Sequence, residues 1–163
     1  MGIAVSNINI GHPEGGRFYY YPNSVGSVGL LFDIQNTSSK IIKYAYFYFV
    51  PYNAVNDVVG SEIDGEAEKC VSFTGPLEPN QIHQCVFEDV WYNNTIKRAV
   101  LTKVKIQYID GTEETVLGSE VTSVSYVSNN SSTSSNSSSS KESAIDRFAD
   151  TIPGMIILCL SLI

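Results

Sequence analysis

Nucleophilic or metal chemistry in this sequence would have to come from two histidines, His12 and His83, and three cysteines, Cys70, Cys85 and Cys159. His83 and Cys85 stand two residues apart, a spacing that puts both on one face of an alternating strand. A thiol nucleophile needs a base beside it and a third group to orient that base, and no third group is evident around the pair. His83 is expected to point outward beside Gln81. His12 lies in Gly11-His12-Pro13-Glu14-Gly15-Gly16, a run that breaks regular structure. No CxxC or His/Cys spacing suggests a metal site. No catalytic residue, metal or cofactor is therefore expected, and the chain is not read as an enzyme.

Carboxylates are plentiful at Glu62, Asp64, Glu66 and Glu68, and again at Glu113 and Glu114. Glycosidase chemistry needs two carboxyls held at a defined separation across a cleft, whereas a loop of alternating acids is more often a solvated edge. Asp57, Glu62, Asp64 and Glu66 offer oxygen ligands for calcium, but their spacing departs from the EF-hand pattern. Cys70 and Cys85 lie symmetrically about Leu77-Glu78, so a simple hairpin there would set them opposite each other and allow a disulfide in an oxidising compartment. The alternative is two small buried thiols on neighbouring strands.

Aromatic side chains carry the one binding hypothesis. Tyr19, Tyr20, Tyr21, Tyr44, Tyr46, Tyr48, Trp91 and Tyr92 would, if gathered on one surface, form a platform for sugar rings. A sugar ring has apolar C–H faces that stack on aromatics and a rim that hydrogen-bonds. The alternative is that these rings fill a sandwich core and its covering strand.

The elements that would position them read as strands. Val28 to Tyr52 holds two apolar runs rich in branched and aromatic residues, joined by Asn36-Thr37-Ser38-Ser39-Lys40. In the first, Val28, Leu30, Phe32 and Ile34 share a face. In the second, Ala45, Phe47 and Phe49 face one way and Tyr44, Tyr46 and Tyr48 the other. Cys70–Thr74 and Ile82–Phe87 flank a proline-bearing turn, Gly75–Asn80. Lys103, Lys105 and Gln107 alternate with Val104, Ile106 and Tyr108, as on a half-buried strand with a solvated basic face. Asp110-Gly111 predicts a two-residue type I′ hairpin into Thr112–Leu117. Trp91 before Tyr92-Asn93-Asn94 also fits a plug between sheets. Seven or so strands at regular spacing with no helical period predict an all-β, immunoglobulin-like antiparallel sandwich.

Domain bounds follow from composition. Residues 1–14 are expected to be a leader or edge strand and residues 15–126 the sandwich. Residues 127–141, almost all Ser, Asn and Thr, predict a flexible linker. Residues 142–163 predict an apolar C-terminal helix. Its tail, 152–163, is either part of a membrane anchor, which would contact the membrane there, or a helix of a further domain. The net charge of −7, from 17 acidic and 10 basic residues, argues against nucleic acid as a partner.

Several motifs recur together in order: Asn36–Tyr44, Pro51–Asp57, Gly75-Pro76 with Pro79, Val90–Ile96, and Ile106–Thr115 with its Asp110-Gly111. Over roughly residues 20–117 the chain resembles the uncharacterised, FxLYD-type immunoglobulin-like domains of Gram-positive bacterial envelope proteins. The resemblance implies a β-sandwich and a bacterial cell-envelope setting, membrane-associated or extracellular, and carries over no catalytic residue. The expected function is a non-enzymatic module for adhesion or protein–protein contact, with a carbohydrate-binding module as the alternative. The expected partner is a protein or a cell-wall glycan.

Overall fold

The computed structural model describes residues 2–126, and apart from one 3₁₀ turn at Gly118–Glu120 their regular structure is strand. The strands are β1 (Ile3–Glu14), β2 (Arg17–Tyr19), β3 (Ser27–Asn36), β4 (Ile42–Tyr52), β5 (Lys69–Leu77), β6 (Ile82–Tyr92), β7 (Arg98–Tyr108) and β8 (Glu113–Leu117). They form two four-stranded antiparallel sheets, in the orders β2-β1-β3-β6 and β5-β4-β7-β8. The chain changes sheet between β3 and β4, between β5 and β6, and again between β6 and β7, which is the immunoglobulin-like sandwich predicted. The linker, the C-terminal helix and the membrane-contact segment all fall outside the described residues. Among those that are described, no helix is long and apolar enough to cross a membrane.

Alternation decides what the sheets bury. Leu30, Phe32 and Ile34 of β3 meet Ala45, Phe47 and Phe49 of β4 across the interior, with the Phe32 ring 5.0 Å from that of Phe47 and 5.2 Å from that of Phe49. Val71, Val104, Ile106 and Val116 extend this layer through the second sheet, and Val5, Cys85, Phe87 and Trp91 through the first. Gly29 marks the bulge where β3 shifts register against β6. A Cβ there would lie 2.0 Å from the Phe87 carbonyl oxygen, so the backbones approach too closely for a side chain.

Four expectations need correction. The N-terminal residues are not a leader: they form β1, which pairs with β3 over Ile3–Gly11 and with the short β2 only through His12–Glu14, and Ile3 and Val5 belong to the core. The glycine run does not break structure before Pro13. Instead β1 continues to Glu14, and Gly15-Gly16, with φ of 57° and 80°, turns it into β2. β5 likewise runs through Gly75-Pro76 to Leu77, since an edge strand can spare the proline's missing donor. The hairpin into β8 exists, but its loop is Ile109-Asp110-Gly111, closed by Tyr108 N–H to the Thr112 carbonyl (2.9 Å) and Gly111 N–H to the Tyr108 carbonyl (3.0 Å). Of the three only Gly111 is left-handed (φ 83°), so this is a type I turn followed by a glycine bulge rather than a type I′ turn.

The last described segment straps the first sheet. Thr122 bridges Ala4 in parallel, Val124 N–H donates to Ser6 Oγ (2.8 Å) and Ser125 N–H to Gln35 Oε1 (2.9 Å). Tyr126 then crosses to Asp33, a buried carboxylate that accepts from the Tyr126 hydroxyl (2.5 Å), Asn7 Nδ2 (2.7 Å) and Gln84 Nε2 (3.1 Å). Burial, together with the bond to Asp33, raises the Tyr126 phenol from 10.0 to about 12. Burial, together with the 2.8 Å bond to Glu114, raises Tyr108 to about 12 as well. Each folded phenol holds its proton more tightly than the unfolded one. The stability this gives is complete below pH 10 and is lost as pH rises from 10 towards 12. In a tyrosinate absorbance titration, Tyr108→Phe and Tyr126→Phe should each remove amplitude from the last-titrating component. An unchanged final component in both variants would contradict these two bonds.

Candidate binding face

The outer face of the second sheet is where the predicted aromatic residues come together. Because β4, β5, β7 and β8 pair in register, three rows cross it: Cys70–Tyr48–Lys103–Leu117, Ser72–Tyr46–Lys105–Thr115 and Thr74–Tyr44–Gln107–Glu113. The column of β4 continues through Val50 and Tyr52, opposite Val100 and Arg98 of β7. Tyr44, Tyr46 and Tyr48 are each half-buried, lying along the sheet with part of each ring in solvent.

Cations cover the rings of Tyr44, Tyr48 and Tyr52. Lys103 Nζ sits 4.0 Å from the centre of the Tyr48 ring and Lys105 Nζ 5.7 Å from the same ring. Lys43 Nζ lies 5.1 Å over Tyr44, and the Arg98 guanidinium 4.1 Å over Tyr52. A cation over a ring face is held by the ring quadrupole and still directs N–H donors outward. Among the described residues none of these four cations is in an ion pair, although Lys40 and Lys69, off the face, are paired with Asp110 and Asp64. The solvated basic face expected of Lys103 and Lys105 is present, and it lies beside the tyrosine row. Two period-2 runs, Tyr44/Tyr46/Tyr48 and Lys103/Lys105, share a face once β4 and β7 pair, and that coincidence of period was the available signal.

The other predicted site residues lie elsewhere, so there is no single aromatic platform. Trp91 is wholly buried, its Nε1–H donating to the Ala67 carbonyl at 2.9 Å, and is the inter-sheet plug. Tyr92 ends β6 in the first sheet, half-buried and paired with Ser27. Tyr19 stacks on His12 beside the β1–β2 hairpin, with ring centres 5.4 Å apart. Tyr20 and Tyr21 are exposed, at 67% and 56%, and border a cleft of ≈ 230 Å³ with Ile10, Ile96 and Lys97. Chain topology parts these groups: the residues around Tyr20 belong to a hairpin of the first sheet, while Tyr44–Tyr48 line the outside of the second.

Cys70 and Cys85, weighed as a disulfide, belong to different sheets. Cys70 lies opposite Tyr48 on the outer face of the second sheet, while Cys85 pairs with Phe32 on the inner face of the first. The chain changes sheet between them instead of forming a hairpin, and the two thiols are not bridged. Burial pushes the Cys85 thiol far above its ordinary range, which leaves it inert as a nucleophile. His83 does share a face with Cys85, but that face is the inner one: its ring lies 5.0 Å from Phe73, so it does not point outward. Burial lowers the His83 pKa against the opposing charge of Asp33. Among the described residues no group of three or more His, Cys, Asp or Glu could hold a metal ion. Asp64, part of the calcium hypothesis, is instead turned to Lys69 and to the Glu66 backbone, bonds that lower its pKa.

No protein-family model, curated protein or solved structure matches the chain.

Proposed function

We propose that the sandwich is a non-catalytic docking module of the bacterial cell envelope, engaging a protein through the outer face of its second sheet. The observation that supports this most is the cover of cations over Tyr44, Tyr48 and Tyr52, none of them in an ion pair among the described residues. Tyrosine and arginine are the residues that concentrate binding energy in protein interfaces. Lysine and arginine heads occupy the ring faces on which a sugar would stack, which weighs against this face as a glycan platform. A carbohydrate-binding reading moves instead to the cleft beside Tyr20 and Tyr21, the exposed aromatic pair.

The full chain, immobilised and exposed to solubilised envelope proteins, should retain a partner that the variant Tyr46→Ser/Lys105→Glu loses. Glu88→Lys, on the exposed side of β6 in the other sheet, should retain it. Equal capture by wild type and the face variant would sink the protein-docking reading. Retention on insoluble wall glycan, lost in Tyr20→Ala/Tyr21→Ala, would favour the second reading.

A further inference from the structure

We infer that the partner seated on this face is an acidic polypeptide segment, with its Asp and Glu carboxylates meeting Lys103, Lys105, Lys43 and Arg98. This rests on the docking reading above and adds the chemistry of the partner.

Charge complementarity carries the inference. The chain has 17 acidic and 10 basic residues, so an acidic neighbour is statistically easy for any cation to find. Lys40 and Lys69 have found one, Asp110 and Asp64. Yet four cations gathered on one sheet face have none among the described residues, and they rest on tyrosine rings instead. The flanking columns do little to neutralise them: Cys70, Ser72, Thr74, Thr115 and Leu117 are uncharged, Glu113 stands at one end, accepting from Gln107 Nε2 at 3.3 Å, and Glu68 at the other is taken up by Thr102 Oγ1 at 2.8 Å. Ring contacts restrain the long side chains and lower the entropy lost when a carboxylate arrives. Arg98 is restrained further, its Nε and Nη2 both donating to Asn56 Oδ1 at 3.3 and 3.2 Å.

The extent of the face favours a short acidic segment over a long polyanion. From Tyr44 to Tyr52 the β4 column runs about 26 Å at the usual strand rise. Beyond it the field is that of a chain with net charge −7, and screening confines the attraction of the face to about 8 Å at physiological salt. A phosphodiester polymer longer than the face would run into that negative field, whereas a compact cluster of carboxylates on a folded or extended polypeptide would not.

The test is a ¹⁵N amide titration of the full chain, at low and at physiological salt, with three probes. These are a peptide of alternating Glu and Gly, its Gln-Gly counterpart, and a thymidine oligonucleotide longer than the face. The Glu peptide should shift β4 and β7 amides saturably. Its affinity should fall tenfold or more in Lys103→Glu/Lys105→Glu, and substantially with salt, while Lys97→Glu, off the face, should change it little. Both lysines are surface groups, and unperturbed core amides would verify that the variant is folded.

Absence of any β4 or β7 shift with the Glu peptide overturns the inference. Equal shifts with the Gln peptide also overturn it while leaving the docking reading standing, because the face would then bind through its tyrosines alone. Tighter binding of the oligonucleotide would assign the face to nucleic acid, and concentration-dependent shifts without any probe, linking residues 57–68 to β4, would assign it to a second copy. Failure of the docking reading registers separately, as equal envelope capture by wild type and the face variant.

Discussion

Trp91→Ala is expected to lower the unfolding free energy by about 3–5 kcal/mol, the usual cost of emptying a large aromatic site in a close-packed interior. Trp91 is fully buried on β6 opposite Val28 and belongs to the core layer that also holds Phe32 and Phe87. It also ties down the long connection between β4 and β5. Its Nε1–H bonds the Ala67 carbonyl, while nearby Glu62 N–H bonds the Tyr92 carbonyl at 2.7 Å and Asn93 Nδ2 the Gly60 carbonyl at 2.8 Å. Losing the ring therefore removes apolar volume and one of the anchors of residues 57–68. A single domain commonly has only about 5–15 kcal/mol to lose, so the midpoint of thermal unfolding should drop by on the order of 10 °C or more. Limited proteolysis should show new cleavage within residues 57–68. Trp91→Phe keeps most of the apolar volume and deletes only the donor. Because Ala67 is half-buried and reachable by water, its cost should be about 1 kcal/mol. Urea unfolding followed by circular dichroism checks both, and equal losses in the two variants would mean that the hydrogen bond, not the ring, holds this corner.

What the sequence allowed depended on whether a signal is local. The faces of β4 are legible because Ala45, Phe47 and Phe49 alternate with Tyr44, Tyr46 and Tyr48 without interruption, and the structure buries the first set completely. β1 is not legible for an equally physical reason. Its inward residues are Ile3 and Val5, then Ile8 and Ile10, because Asn7 adopts a left-handed φ of 55° and the register against β3 slips between Ser6 and Asn9. That bulge shifts the period-2 pattern by one residue, and a strand that changes phase midway looks only weakly alternating.

Sheet membership is a longer-range property, and two site expectations fell with it. The symmetry of Cys70 and Cys85 about Leu77-Glu78 fits a hairpin equally well as a sheet-to-sheet crossing, and only the crossing puts one thiol outside and the other in the core. Whether the eight aromatics share one surface is not legible, because nothing in the sequence says that Trp91 and Tyr48 occupy different sheets. Within a single strand the expectation survived: the Tyr44–Tyr48 row is on the outer face. Lys103 and Lys105, which cover Tyr48, come from β7, more than fifty residues away in sequence, through pairing that composition alone does not specify.

Asn36 shows the same limit in a residue that looks like turn filler, and its replacement should be the second most damaging single change. It ends β3 as the chain crosses to the second sheet and is fully buried. Its Nδ2 donates to the Leu77 carbonyl at 2.8 Å and to the Lys40 carbonyl at 2.7 Å, while Oδ1 accepts from Ser38 N–H at 3.0 Å and Ser38 Oγ at 2.7 Å. Its backbone N–H and carbonyl bond Gln81 and Asn80 at 3.1 and 2.7 Å. One amide thus fastens the β3–β4 crossing to the β5–β6 crossing. Asn36→Ala should cost about 2–4 kcal/mol, because the buried Leu77 carbonyl loses its donor and cannot regain one from solvent without opening the corner. Asn36→Asp, nearly identical in shape, should be worse at neutral pH, since a carboxylate offers no donor to either carbonyl and would be buried without a counter-charge. Its burial would raise the folded pKa of the new carboxyl above the unfolded value of about 3.9, so its excess cost over alanine should be small in acid. That excess should grow as pH rises from about 4 through the raised folded value. Urea midpoints of the two variants across pH 3–8 measure this directly. An aspartate variant as stable as wild type at neutral pH would mean that the two carbonyls do not depend on Asn36 as donor.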